Sequence, residues 1–106
     1  MQFLVITRQF SPPPLEMVSP LLEATQGWLA QHRASGKIKS AWAFAGTTNG
    51  GGVLEVDSHE ELDEIVGAFP FAPFSTIDVI ALSDLDRSLE TAKALSARAR
   101  EAIGSR

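Results

Sequence analysis

Repeated alternation between two hydrophobic periods and one helix-start signature place this 106-residue chain in the α+β class. Apolar, β-branched runs at 2–8, 37–46, 53–57 and 76–82 read as strands, whereas apolar residues within 21–32, 62–69 and 85–103 recur every three or four positions, as on a helix. The order is therefore β-α-β-β-α-β with an extra C-terminal helix. It predicts a ferredoxin-like domain: a four-stranded antiparallel sheet carrying two helices on one face. Residues 1–83 form that domain, and 84–106 are a C-terminal helical extension.

Each element has a local reason. Gln2-Phe3-Leu4-Val5-Ile6-Thr7-Arg8 is rich in strand formers, and Pro12-Pro13-Pro14 cannot continue a ladder because proline has no N–H. A helical pattern runs from about Leu15 to Ser35. Pro20 suits a first helical position, so Ser19 is a candidate N-cap, and Gly36 supplies a left-handed end. Lys37 to Gly46 is the second strand, Asn49-Gly50 a hairpin signal, and Val53 to Asp57 its partner strand. Ser58-His59-Glu60-Glu61 is a capping box for the helix that carries Leu62, Ile65, Val66 and Phe69 on one face. A proline-stiffened aromatic link, Phe69-Pro70-Phe71-Ala72-Pro73-Phe74, leads to the strand Thr76–Leu82. Ser83 and Asp84 open the last helix. Its Ala/Leu stripe is too weak for a coiled coil and suits packing on a neighbouring subunit or on its own sheet.

Composition narrows the function classes. With 44% hydrophobic and 21% charged residues the chain is ordinary globular material for one domain. A net charge of −4 without a basic cluster argues against nucleic acid as a partner. No cysteine is present, which removes thiolate chemistry, disulfides and cysteine-based metal sites. His32 and His59 stand too far apart for a metal-ligand spacing, so no metal is expected. Phe3-Leu4-Val5-Ile6 is too short for a leader or a membrane span, which makes cytoplasmic the default location.

Alternation along the strands sorts side chains onto two faces. Phe3, Val5, Thr7, Ile38, Trp42, Phe44, Leu54, Val56, Ile77 and Val79 should pack under the helices. Leu4, Ile6, Arg8, Lys39, Ala41, Ala43, Ala45, Val53, Glu55, Thr76, Asp78 and Ile80 should form the other face. That second face is too apolar for water. Two copies stacked through it would bury it and leave a cavity above the alanines; a loop or the last helix of the same chain would also cover it.

The stretch Gly36–Leu82 resembles the muconolactone isomerase family. The resemblance rests on Trp42, Ala45-Gly46, Asp57-Ser58, Glu60-Glu61-Leu62, the Phe69–Phe74 link and Asp78. It implies a dimeric α+β barrel, in some members a larger ring of dimers, and cofactor-independent isomerisation of a small lactone by proton transfer. Where the family carries His and Arg on its first strand, this chain has Leu4 and Ile6; Ala43 and Thr47 replace two further arginines. A pocket without those cations suits a small, largely apolar cyclic ligand better than an anionic one.

The candidate catalytic residues are Asp78 and Glu55, which parity points into the inter-subunit cavity. A carboxylate withdrawn from water holds a proton more readily and can pass it on. Alternatively they pair with Arg8 or Lys39 at a dimer interface. Arg8 and Lys39 are the candidates for orienting a carbonyl or enolate oxygen. Ala43 would line the cavity, Phe71 and Phe74 its mouth, and His32 is either a base or a histidine at the core edge. The implied partners are a small-molecule ligand and a second copy of the chain, with no cofactor and no membrane. A non-catalytic ligand-binding or assembly protein of the same fold is the alternative.

Overall fold

The computed structural model describes residues 1–104. The chain runs through β1 (Gln2–Gln9), α1 (Leu15–Ala34), β2 (Ile38–Ala43), β3 (Gly50–Glu55), α2 (His59–Gly67), β4 (Ser75–Leu82) and α3 (Leu85–Gly104). A single 3₁₀ turn, Ala72–Phe74, precedes β4. All strand pairs are antiparallel and the sheet order is β2-β3-β1-β4. This is the ferredoxin-like arrangement expected from the element order.

The core sits where α2 crosses the sheet. Phe3, Val5, Ile38, Leu54 and Val56 are buried from the sheet side, and Leu62 and Ile65 close over them from α2. α2 starts as its sequence demands: the Ser58 hydroxyl accepts from the Glu61 N–H at 3.1 Å. The Glu61 carboxylate reaches back to the N–H of Asp57, one residue ahead of the usual partner, at 3.3 Å. The Trp28 indole N–H donates to the Ile65 carbonyl at 3.0 Å and fastens α1 to α2.

Three local expectations are corrected. α1 begins at Leu15 with Pro14 at the N-cap, so Ser19 caps nothing and Pro20 lies inside the helix. The prolines before Leu15 already hold the backbone near helical entry, and Pro20 removes only one bond near an end where several are missing anyway. The hairpin turns at Phe44–Thr47 instead of Asn49-Gly50. Thr47 N donates to the Phe44 carbonyl at 3.1 Å, and Gly46 takes the positive φ of 76° that the third turn position needs. Asn49 instead accepts from the Gln9 N–H at 2.9 Å through its side chain, and Gly50 opens β3.

The third correction matters most for function. β2 pairs Ile38 with Leu54 but Ser40 with Val53, so Lys39 is an extra residue in the ladder. Such a bulge shifts the alternation by one, and every later side chain changes face. Ala41 is thereby opposite Gly52 and Ala43 opposite Gly50, on the helix side, while Trp42 lies opposite Gly51 on the open side. The expected faces of β2 beyond Ile38 are reversed; those of β1, β3 and β4 hold.

α3 does not fold back on its own sheet. Every residue from Leu85 to Gly104 is exposed. The radius of gyration is 19.2 Å and the longest extent 69 Å, against ~13 Å expected for a compact chain of this length.

Candidate functional site

The reversed alternation of β2 lays a floor without side chains. Ala41 and Ala43 of β2 lie beside Gly50 and Gly52 of β3, all on the face turned toward α1. The glycines are required by close backbone approach. A Cβ on Gly50 would stand 2.7 Å from the Trp42 carbonyl oxygen, and one on Gly52 2.6 Å from that of Ser40. Above this floor α1 presents Val18, Leu22, Thr25, Trp28, Leu29 and Arg33, and none of its residues is buried. The helix is held off the sheet, and the space between them is a cavity of about 660 Å³. That falls within the ~300–1,000 Å³ common for small-ligand sites.

Its walls are apolar: Val5, Ile38 and Leu54 from the core edge, Pro12 and Pro13 from the first loop, Phe69 and Phe71 from the link before β4. Trp28 and Phe69 pack with ring centroids 5.2 Å apart, and Phe69 and Phe71 6.1 Å apart, both pairs tilted, as an aromatic side wall. The polar groups are few. Thr7 donates to the Gly50 carbonyl at 3.3 Å and Thr25 to the Leu21 carbonyl at 2.8 Å, so both hydroxyl protons are already used. Gln9, Thr48, Asn49 and Ser75 lie along the rim, together with Arg33, whose guanidinium has no partner among the described residues. Among the described lining residues there is no Asp, Glu or His. The arrangement can enclose a ring and donate hydrogen bonds to an oxygen on it; it holds no carboxylate or imidazole to take a proton.

Of the residues singled out from sequence, Ala43 and Phe71 line this cavity and Phe74 does not. Asp78 and Glu55 are not among the residues lining this cavity; they occupy the face on which strand parity placed them. They lie on the open face of the sheet, opposite the side that α1 covers. Asp78 pairs with Arg8, each about half exposed, and Glu55 accepts from the N-terminal ammonium at 3.2 Å. A pair so exposed contributes only ~0–1 kcal/mol to stability. Lys39 is exposed at the bulge. His32 is half-buried and its ring meets Trp28 at 5.5 Å, at the core edge and outside the cavity.

Sequence reading passed over Arg33, Asn49 and the glycine run. The signal was present in two places. Thr25, Leu29 and Arg33 follow one another at four-residue spacing, and three successive glycines in a strand mark a close approach of backbone. Elsewhere, Lys37 sits between Glu61 at 2.8 Å and Asp57 at 3.3 Å. The hydrogen bond to Glu61 chiefly, with that to Asp57, holds its ammonium above the usual lysine range. This cluster ties the start of β2 to the start of α2 and is remote from the cavity.

The chain is thus an α+β, ferredoxin-like domain with an apolar chamber between one helix and the sheet. Residues 1–88 match the model of the muconolactone delta-isomerase family, and the chain belongs to that family. A muconolactone isomerase structure superposes with a TM-score of 0.72 at 22% identity, covering 79% of this chain and 90% of that one. The 5-chloro-2-hydroxyhydroquinone dehydrochlorinase of Burkholderia phenoliruptrix AC1100, in complex with 2,5-dihydroxybenzoquinone, superposes with a TM-score of 0.60 at 24% identity. That match covers 82% of this chain and 98% of the other. No curated protein matches in sequence. At these identities the two structures speak for the fold.

Proposed function

We propose that the chain binds a small, uncharged, largely apolar cyclic molecule in the cavity beneath α1 and isomerises it without a cofactor. The observation that carries this reading is the glycine–alanine floor, which leaves room for a ring where a packed domain of this size would carry side chains. Family membership supports isomerisation as the reaction, and the ring ligand named for the dehydrochlorinase supports the size of the occupant. Arg33 and the Asn49 carboxamide supply donors for a carbonyl oxygen, which would stabilise an enolate. The proton would pass from the neighbouring carbon to a solvent water at the open side and return from water at the new position, since the described lining holds no carboxylate or imidazole.

A second reading is favoured by one specific feature: the described cavity lining lacks a carboxylate and a histidine. On that reading the protein binds the ring and does not turn it over. Both are tested with a panel of neutral lactones and benzoquinones alongside their carboxylated analogues. Calorimetry should show micromolar binding of a neutral ring and weaker binding of the anion. Proton exchange of the bound lactone with D2O, followed by NMR, then separates turnover from binding. If none of the neutral rings binds, or if Ala43→Trp leaves binding unchanged, the cavity is not the site.

The open sheet face supports homodimer formation. Leu4, Ile6, Val53, Trp42, Phe44 and Ile80 surround the Arg8–Asp78 pair there, and Trp42 is 54% exposed. Stacking two such faces removes this surface from water. Ile6→Lys should then halve the mass measured by light scattering; an unchanged mass rules the stacking out.

A further inference from the structure

The family match ends at residue 88, whereas α3 runs from Leu85 to Gly104, so almost the whole helix is an addition to the shared domain. Twenty residues make ~30 Å of helix, and its apolar side chains have no cover. Leu85 is 69% exposed, Leu89 54%, Leu95 58% and Ile103 71%. The stripe Leu85, Leu89, Ala92, Ser96, Ala99, Ile103 advances by alternate steps of four and three, the spacing of a helix–helix seam. Among the described residues no other element covers it: every residue from Leu85 to Gly104 is exposed.

The order of residues along that stripe is close to self-complementary. About Ala94 as a midpoint, Leu85 is mirrored by Ile103, Leu89 by Ala99 and Ala92 by Ser96. Two copies of α3 laid antiparallel therefore set large against large at the ends, large against small next, and small against small at the centre. The flanks agree. On one side, Asp86 comes opposite Arg100 of the partner subunit at both ends of the pair. On the other, Leu95 meets its own copy across the two-fold axis. Lys93 also approaches its counterpart near the axis, but its ammonium stands 3.6 Å from Glu90 of the same helix, which offsets the like charge. A parallel pair would instead leave Asp86 and Arg100 at opposite ends of the seam, ~21 Å apart along the helix axis, and forgo that opposite-charge contact.

We infer that α3 is a homotypic assembly arm whose occupant is a second copy of itself, antiparallel, with Leu89 packed on Ala99 of the partner subunit. The contact is isologous, as a two-fold interface must be. It is independent of the cavity reading, and it links subunits through a different surface from the open sheet face.

The absence of native cysteines makes the register directly measurable. Full-length Leu89→Cys and Ala99→Cys variants are prepared separately, mixed under reductant so that subunits exchange, and then oxidised. The mixture should yield a cross-linked dimer containing one chain of each kind, and neither variant alone should cross-link appreciably. Self-cross-linking of each variant would mean a parallel pair and overturn the inference, as would no cross-link in the mixture. In parallel, Asp86→Arg should at least halve the assembly mass found by sedimentation, and adding Arg100→Asp to it should restore that mass. An unchanged mass in Asp86→Arg, or failure of the double variant to recover it while circular dichroism shows intact helix, overturns the charge register.

Discussion

Enlarging Ala41 separates a cavity kept for a ligand from a core that is already full. Its Cβ lies on the floor, half-buried and packed at the edge of the core, opposite a glycine that contributes no side chain. Ala41→Leu adds three carbons, worth ~2.4 kcal/mol if wholly buried at ~0.8 kcal/mol each. One side of the chamber is open, so about half of that is realised, and ordering a leucine costs about 0.5–1 kcal/mol. The net expectation is a small gain, between about 0 and 1 kcal/mol, which raises the melting temperature by up to ~8 °C for a domain of this size. In the same variant the ring ligand should bind at least tenfold more weakly, because the added branch occupies its space. Thermal unfolding followed by circular dichroism and titration calorimetry read the two effects on one sample. The reasoning fails if Ala41→Leu is destabilised by more than about 1 kcal/mol, which is the signature of overpacking in a filled core.

Gly52→Ala should act in the opposite direction. Its new Cβ meets the Ser40 carbonyl oxygen at 2.6 Å, so strand separation must change, and urea denaturation should show a loss of about 1–3 kcal/mol. Ser58→Ala removes the acceptor for the Glu61 N–H and should cost about 1 kcal/mol by the same measurement. Lys37 has a folded-state pKa raised above 10.5 by its carboxylate partners. Its contribution is complete below the unfolded value and is lost as pH rises through the folded one, so stability should fall more steeply on the alkaline side in wild type than in Lys37→Met. Urea midpoints measured from about pH 9 to 12 test this, and equal slopes would discount the Glu61–Lys37–Asp57 cluster. Asp78→Asn should leave ligand affinity in the cavity unchanged, since Asp78 lies on the far face of the sheet paired with Arg8; a large loss in calorimetry would move the site to that face.

Much of this molecule is legible from local chemistry. Periodicity alone separates strands from helices because a strand repeats every two residues and a helix every 3.6. Ser58 and Glu61 announce α2 because the orphan N–H groups of a helix start must be met within a few residues. The element order then restricts the sheet to one arrangement, and the resemblance carried by Trp42, the capping box and the proline-aromatic link agrees with the family match over residues 1–88.

The location of the site was not legible, for one physical reason. Strand parity is read by counting, and a count holds only until an extra residue enters the ladder. Lys39 is that residue, and nothing in Lys37-Ile38-Lys39-Ser40 marks it, since the bulge arises from how β2 must meet β3. One inserted position carried Ala41 and Ala43 from the open face to the helix side and sent Trp42 the other way. The sequence by itself determined the class of fold and which helices would form, because those depend on neighbours a few residues apart. Only the tertiary structure decided on which side of the sheet the empty space would open, because that depends on the register between two strands.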